Sequence, residues 1–283
     1  MGRIADYVAL TKPRMNLLIV ATSVAGFYLG TEGSIDFSGM AATALGTALV
    51  AGGAGAFNQL FERDTDGLMR RTHKRPLPDG RLQPTEAAWF AATISVLGLL
   101  QLAVGNNIGA AVVALATLLF YTVIYTPLKM RSWTATLVGA VPGALPPVIG
   151  WTAAHGSISE GAVALFAIVF CWQIPHFFAI AWMYREEYAR AGFPFLPIIE
   201  PEGHRTARQV VGFTVALIAV SLTPLLIGLA GWGYGAAAAG LGAISMVEAV
   251  RFSRQRTHAA ARRLFLWSLI YLPLIWAAMM LDT

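Results

Sequence analysis

The chain has 283 residues, 57% of them apolar and only 12% charged, with a formal net charge of +5. Soluble domains carry about 25% charged residues, so this composition excludes an ordinary water-soluble enzyme and points to the bilayer. Little polar mass is left outside the apolar runs, so the positive balance reads as membrane topology and contact with anionic lipid, and no nucleic-acid partner is expected.

The N-terminal stretch MGRIADYVALTKPRM is too short and too acidic for an Arg-rich transit peptide, and no cleavable signal precedes the first apolar run. A bacterial inner-membrane protein is therefore expected. Runs long enough to cross ~30 Å of hydrocarbon follow at roughly 15–31, 38–58, 87–105, 108–126, 134–153, 161–182, 210–230, 233–250 and 264–281. The eighth, rich in Ala and Gly, carries the weakest signal. These runs predict an all-α integral membrane protein of about nine transmembrane helices, folded as a single domain over 1–283. All 20 Lys and Arg residues lie in the N-terminal segment or in alternate connections, and the other connections have none. The positive-inside rule then places the N-terminus in the cytoplasm and the C-terminus in the periplasm. Cys171 is the only cysteine, which excludes disulfides and cysteine-based metal sites.

The second run ends in the segment from Phe57 to Arg81. Asn58, Glu62 and Asp66 recur every fourth residue, so a helix carries them along one stripe. Two carboxylates about 6 Å apart repel by ~3 kcal/mol at an effective dielectric near about 20, and a cation between them reverses that cost. Oxygen donors of this kind suit Mg²⁺, which binds through one or two carboxylates plus substrate phosphates. Arg63, Arg70, Arg71, Lys74, Arg75 and Arg81 are available for the remaining phosphate charge. The alternative is a solvated basic loop. Asp66 argues against it, because an acid just before Gly67 sits at a helix C-terminus, where the dipole disfavours it. The segment reads as a metal–diphosphate site. Asp64 lies about 200° around the helix from Glu62 and falls outside it.

Further along, Lys129 and Arg131 at the end of the fourth run either snorkel to lipid phosphate or reach the same diphosphate. Pro142, Pro146 and Pro147 interrupt the fifth run, and broken backbone at membrane depth is tolerated where it is buried or lines a cavity. His176 follows Pro175 in mid-membrane, flanked by Trp172, Phe177, Phe178 and Trp182. An ionisable residue there is a functional candidate; the alternative is a neutral imidazole bonded to a carbonyl that Pro175 frees. Glu186 and Glu187 could hold a second Mg²⁺ opposite the first stripe. Gly192 to Pro197 forms a stiff apolar loop that could close over a lipid-like substrate. His155, near the outer side, is expected to be a surface residue.

Taken in order, LTKPR (10–14), NQLFERDTDGLMRRTHKRPLP (58–78), YTPLKMRS (125–132), GALPPVIGW (143–151), WQIPHFFAIAW (172–182) and AGFPFLPII (191–199) resemble the protoheme IX farnesyltransferase family, the haem O synthases. That family is a branch of the intramembrane aromatic prenyltransferase superfamily. The resemblance runs to about residue 210, and the last three spans match only in hydropathy. It implies helices around a central cavity, a cap of cytoplasmic loops, and Mg²⁺-dependent transfer from farnesyl diphosphate to haem b, with haem a substrate. Asn58, Glu62, Asp66 and Lys129 would then be catalytic, and Arg63, Arg70, Arg71, Lys129 and Arg131 would hold diphosphate. Metal would be held by Asn58, Glu62 and Asp66 with Glu186 and Glu187, while Trp172, His176, Phe177, Phe178 and Trp182 would line the haem and prenyl cavity. Contact with haem A synthase or oxidase assembly factors is a further expectation.

Two departures weaken the carry-over. Glu62 stands where the superfamily usually has Asp, and no carboxylate pair stands four apart near Glu186. Two other classes stay open: a prenyltransferase of the same fold acting on a quinone or chlorophyll precursor, and a transporter of an anionic lipid or metabolite. The motifs over 172–197 argue against the first. Against the second, no pair of similar halves with matching interruptions is found.

The charge asymmetry makes a direct prediction. A membrane-impermeant thiol reagent applied from the periplasmic side should miss Asp79→Cys and label Gly156→Cys. The reverse pattern would overturn both the orientation and a cytoplasmic site.

Overall fold

The computed structural model describes residues 2–283, and all regular structure among them is helical. A short amphipathic helix, α1 (Arg3–Leu10), leads into α2 (Pro13–Gly30) and α3 (Phe37–Phe61). Then follow α4 (Pro84–Gly105), α5 (Ile108–Leu128), α6 (Ala135–His155) and α7 (Glu160–Met183). The short α8 (Arg185–Arg190) precedes α9 (His204–Leu226), α10 (Trp232–Gln255) and α11 (His258–Leu281).

Eight of these helices are long and apolar enough to cross a membrane. The ninth expected span is α2, whose 18 residues open with the polar Arg14 and Asn16. Helix α9 begins at His204, well before the hydropathy run expected at 210, because its first turns carry Arg205 and Arg208 out of the apolar zone. For the same reason α10 runs on to Gln255.

Local chemistry sets the ends. Asp36 caps α3 by accepting from the Ser38 N–H, and Asn107 caps α5 through the Ala110 N–H. Gln83 and Glu86 form a capping box ahead of α4, with Pro84 in the first turn. Prolines break one span, as expected, but not all three: Pro146 and Pro147 divide α6 into two halves at Leu145, while Pro142 lies within the first half and does not interrupt it. Helix α5 stays α-helical to Leu119 and then widens into a π-helix over Phe120–Tyr125, just before Pro127.

The long helices pack as a ring. Helix α2 lies on α3 and α6, α3 on α4, and α5 between α4 and α6. Helix α7 joins α6, α9 and α11, and α10 bridges α9 and α11. Large apolar side chains such as Leu17, Val104, Val112 and Val247 point outward, while Ser23, Thr47, Thr214 and Ser221 are buried and hydrogen-bonded. This is the arrangement a lipid solvent demands, since polar groups must find partners inside.

The tightest seam joins α2 to α6. A Cβ on Gly150 would sit 1.7 Å from the Ser23 carbonyl oxygen, and one on Gly26 would sit 2.1 Å from that of Pro147. These helices touch backbone to backbone, which only glycine allows. Gly150→Ala should therefore cost roughly 1–3 kcal/mol or more by forcing the helices apart. Thermal unfolding of the detergent-solubilised protein reads this as a lowered Tm. Gly212→Ala, with no neighbour within 4 Å of the added carbon, should leave Tm unchanged or raise it.

Candidate active site

The connection after α3 holds the acidic stripe. The α-helix does not run through it: Glu62 leaves helical geometry (φ −95°, ψ 7°) and a single turn, Arg63–Asp66, follows. The four-residue hydrogen bonding nevertheless continues. The Glu62 N–H donates to the Asn58 carbonyl at 3.0 Å, and the Asp66 N–H to the Glu62 carbonyl at 2.7 Å. Asn58, Glu62 and Asp66 are all buried, whereas the Asp64 side chain is 92% exposed. Asn58, Glu62 and Asp66 thus share one side despite a break in the helix at Glu62.

Each member of the stripe meets a cation from another segment. Lys12 Nζ donates to Asn58 Oδ1 at 2.5 Å. Lys129 Nζ forks across the Glu62 carboxylate at 3.1 and 3.2 Å. Arg75 Nη1 lies 2.7 Å from Asp66 Oδ2. Lys12 is presented by a left-handed backbone (φ 50°) at the junction of α1 and α2, an unfavourable conformation for a side chain larger than Gly that the surrounding structure must enforce.

Electrostatics follow from this packing. Burial pushes the Glu62 carboxyl up, but the Lys129 and Lys12 ammoniums outweigh it and hold the group below the usual range. Burial likewise opposes the Lys129 charge, and Glu62 outweighs it, so Lys129 lies above its ordinary value. At Lys12 the Glu62 and Asp66 carboxylates are outweighed: burial, helped by Arg75, pulls it down to about 7. At Asp66, burial outweighs Arg75 and raises the carboxyl.

Asp66 Oδ1 is buried without a hydrogen-bond partner. An orphaned carboxylate oxygen beside Glu62 and the Asn58 amide oxygen is a donor set of the hard, oxygen-only kind that Mg²⁺ takes. Among the described residues no cluster of three or more His, Cys, Asp or Glu side chains forms. A divalent ion here would therefore depend on the Asn58 amide and on phosphate oxygens to complete its shell.

The remaining basic residues divide. Arg71 donates to the Tyr188 hydroxyl at 3.1 Å and lies 5.2 Å from the Tyr184 ring centre. Arg63 rests beside Asp64, while Arg70, Lys74 and Arg131 are exposed. Arg81 is committed to Asp6 at 3.0 Å and ties the loop to α1. Glu186 is exposed and Glu187 half-buried on α8, and they form no acidic cluster with the stripe. The apolar loop does fold over this end: Phe193, Phe195 and Tyr188 pack with Met69, and Lys129 Nζ lies 4.8 Å from the Phe193 ring centre.

The aromatic group around His176 is divided between two environments. His176 Nδ1 lies 2.7 Å from Ser268 Oγ on α11. That hydroxyl spends its single proton on the Phe265 carbonyl at 2.6 Å, so it accepts from His176. Nδ1 therefore carries the proton and Nε2 the lone pair. The partner is a serine, where the alternative reading expected a carbonyl freed by Pro175. Trp172 stacks on the imidazole at 5.1 Å, and Phe265 and Phe177 complete the group at 5.0 and 5.8 Å. Phe178 and Trp182 instead enter the core beside Phe252 and Leu264. His155 is remote, 3.4 Å from Glu32 and tilted against Trp151.

Two members of the site were not singled out in the sequence. Lys12 appeared only within LTKPR, and Arg75 was one of six equivalent cations. Their only signal was a position at the basic end of the bundle.

The sequence and the fold both match known proteins. The profile of the UbiA prenyltransferase family matches residues 19–270. Among solved structures, a digeranylgeranylglyceryl phosphate synthase superposes with a TM-score of 0.84 at 17% identity, covering 100% of this chain and 99% of that one. A UbiA homologue from Archaeoglobus fulgidus bound to GPP and Mg²⁺ gives 0.72 at 17% identity, covering 97% and 99%. The chain belongs to the UbiA prenyltransferase family, a class of membrane enzymes. Within that family it is 44% identical to a protoheme IX farnesyltransferase of Solibacter usitatus, over 98% of both chains. It is 43% identical to a protein of the same name from Myxococcus xanthus, over 98% of this chain and 94% of the relative.

The burial difference along the stripe is directly testable. Glu62→Gln and Asp66→Asn should each lower prenyl transfer by at least ~100-fold, the scale of losing one well-placed charge-stabilising group. Asp64→Asn should retain nearly full activity. Steady-state turnover of purified, folded variants checks this; equal losses at 64 and 66 would contradict the geometry.

Proposed function

We propose that this chain transfers the farnesyl group of farnesyl diphosphate to a vinyl group of haem b, with addition of water, giving haem O and diphosphate. The observation that carries the reading is the buried stripe Asn58, Glu62, Asp66 matched to Lys12, Lys129 and Arg75. It sits in a chain 44% identical over its length to a protein named for that activity.

In this reading Asn58, Glu62 and Asp66 hold Mg²⁺. The ion supplies positive charge where the diphosphate leaves. Glu186 and Glu187 are proposed as ligands to a second ion that arrives with the substrate. Lys12, Lys129 and Arg75 are already positioned, so they transfer their hydrogen bonds from the Asn58 amide and the Glu62 and Asp66 carboxylates to phosphate oxygens as the substrate settles. Arg63, Arg70, Arg71 and Arg131 form the outer ring of positive charge. The Phe193–Phe195–Tyr188 layer covers the charged end and keeps water from the allylic cation.

A vinyl carbon of the porphyrin then attacks that cation, and water captures the resulting carbocation. Trp172, Phe177 and Phe265 offer apolar faces to a macrocycle, and His176 presents a lone pair on Nε2 among them. We place the basic end in the cytoplasm and Thr283 in the periplasm of a bacterial inner membrane, on the distribution of Lys and Arg. Haem A synthase and oxidase assembly factors are the recipients this product would suit.

Protein in lipid nanodiscs, given haem b, farnesyl diphosphate and Mg²⁺, should yield a hydroxyethylfarnesyl haem by mass spectrometry, and chelation should abolish it. His176→Ala should depress haem binding or turnover far more than His155→Ala. Prenylation of a phenolic acid with haem ignored would keep the fold and overturn the substrate.

A further inference from the structure

We propose that Thr126 is the residue that fixes the orientation of the Asn58 amide, accepting from its nitrogen and so leaving its oxygen available to a metal. The proposal rests on the reading of Asn58 as a metal ligand and adds a positioning residue to it.

Thr126 closes the π-helical turn Phe120–Tyr125, a rare geometry that often marks functional sites. The Tyr121 carbonyl accepts both the Thr126 backbone N–H and the Thr126 hydroxyl, the latter at 2.9 Å. A hydroxyl has one proton. With it spent on Tyr121, Thr126 Oγ1 can only accept, and the atom it faces 3.3 Å away must donate: Asn58 Nδ2. On the other side of the amide, Lys12 Nζ lies 2.5 Å from Oδ1. In its ammonium form Lys12 can only donate. One acceptor-only partner and one donor-only partner therefore dictate the same orientation.

The two partners are not equivalent in the reaction. Lys12 belongs to the cations that turn to phosphate when substrate arrives. Thr126 is buried, and its hydroxyl is anchored within its own helix. It is the partner that stays, and it keeps the amide from turning its NH₂ toward a cation. The wider π turn is what carries the Thr126 side chain back to a carbonyl five residues earlier.

The test measures metal binding without substrate. Mn²⁺ is titrated into purified full-length protein in detergent, with the free ion followed by electron paramagnetic resonance. Thr126→Val, which keeps the shape and removes the acceptor, should weaken Mn²⁺ binding about 10–100-fold, the usual effect of losing an outer-shell partner. Thr126→Ser should restore it to near the wild-type value. In turnover, Thr126→Val should raise the KM for Mg²⁺ and leave kcat at saturating Mg²⁺ close to wild type. In an Asn58→Asp background the two side-chain oxygens are equivalent, so Thr126→Val should cost little further affinity.

Equal Mn²⁺ affinity in wild type and Thr126→Val would overturn the proposal. So would an undiminished loss in the Asn58→Asp background, which would assign the effect to packing. If wild type binds no Mn²⁺ that Asp66→Asn abolishes, the metal reading itself falls and takes the proposal with it.

Discussion

Charge compensation at one end of the bundle is the constraint on which the rest of the structure depends. Two carboxylates and an amide are buried on a single stripe, and an uncompensated charge there is costly: breaking one side of a buried pair typically destabilises by about 3–5 kcal/mol. The compensation comes from three separate places. Lys12 arrives from the α1–α2 junction, Arg75 from the long connection after α3, and Lys129 from the end of α5. Meeting the stripe therefore fixes where α1, the loop and α5 converge. The left-handed backbone at Lys12 and the broken helix at Glu62 both lie where these segments meet.

The same compensation explains how a folded site can be ready for a polyanion. A stripe without partners would be unstable, and a basic patch without acids would not concentrate a divalent ion. Under the proposed function, pairing them makes a site whose cations exchange their present partners for phosphate with little rearrangement. Arg75 meets only Oδ2 of Asp66, and the other carboxylate oxygen, Oδ1, is buried without a hydrogen-bond partner. Around it, the Phe193–Tyr188 layer closes one side and the glycine-tight α2–α6 seam keeps the bundle narrow.

Much of this was legible in the order of residues, because the relevant physics is local. Apolar run lengths set the spans, alternate basic connections set which loops share an end, and a four-residue period put Asn58, Glu62 and Asp66 on one side and Asp64 on the other. What escaped was non-local. Lys12 and Asn58 are 46 positions apart, and nothing near either one announces their contact. The aromatics over 172–182 looked like one wall because they are adjacent in sequence. Helical periodicity sends Trp172 and His176 to one face and Phe178 and Trp182 to another. The partner of His176, Ser268, lies 92 residues downstream, in a region where only hydropathy was informative.

The most direct test of the central claim is an anomalous-scattering crystal structure with Mn²⁺ and a non-hydrolysable farnesyl diphosphate analogue. The account predicts a metal peak bonded to oxygens of Asn58, Glu62 and Asp66 at about 2.0–2.3 Å, with Lys129 moved from Glu62 to a phosphate oxygen. A metal bound elsewhere, or a diphosphate seated while Lys129 still holds Glu62, would contradict it.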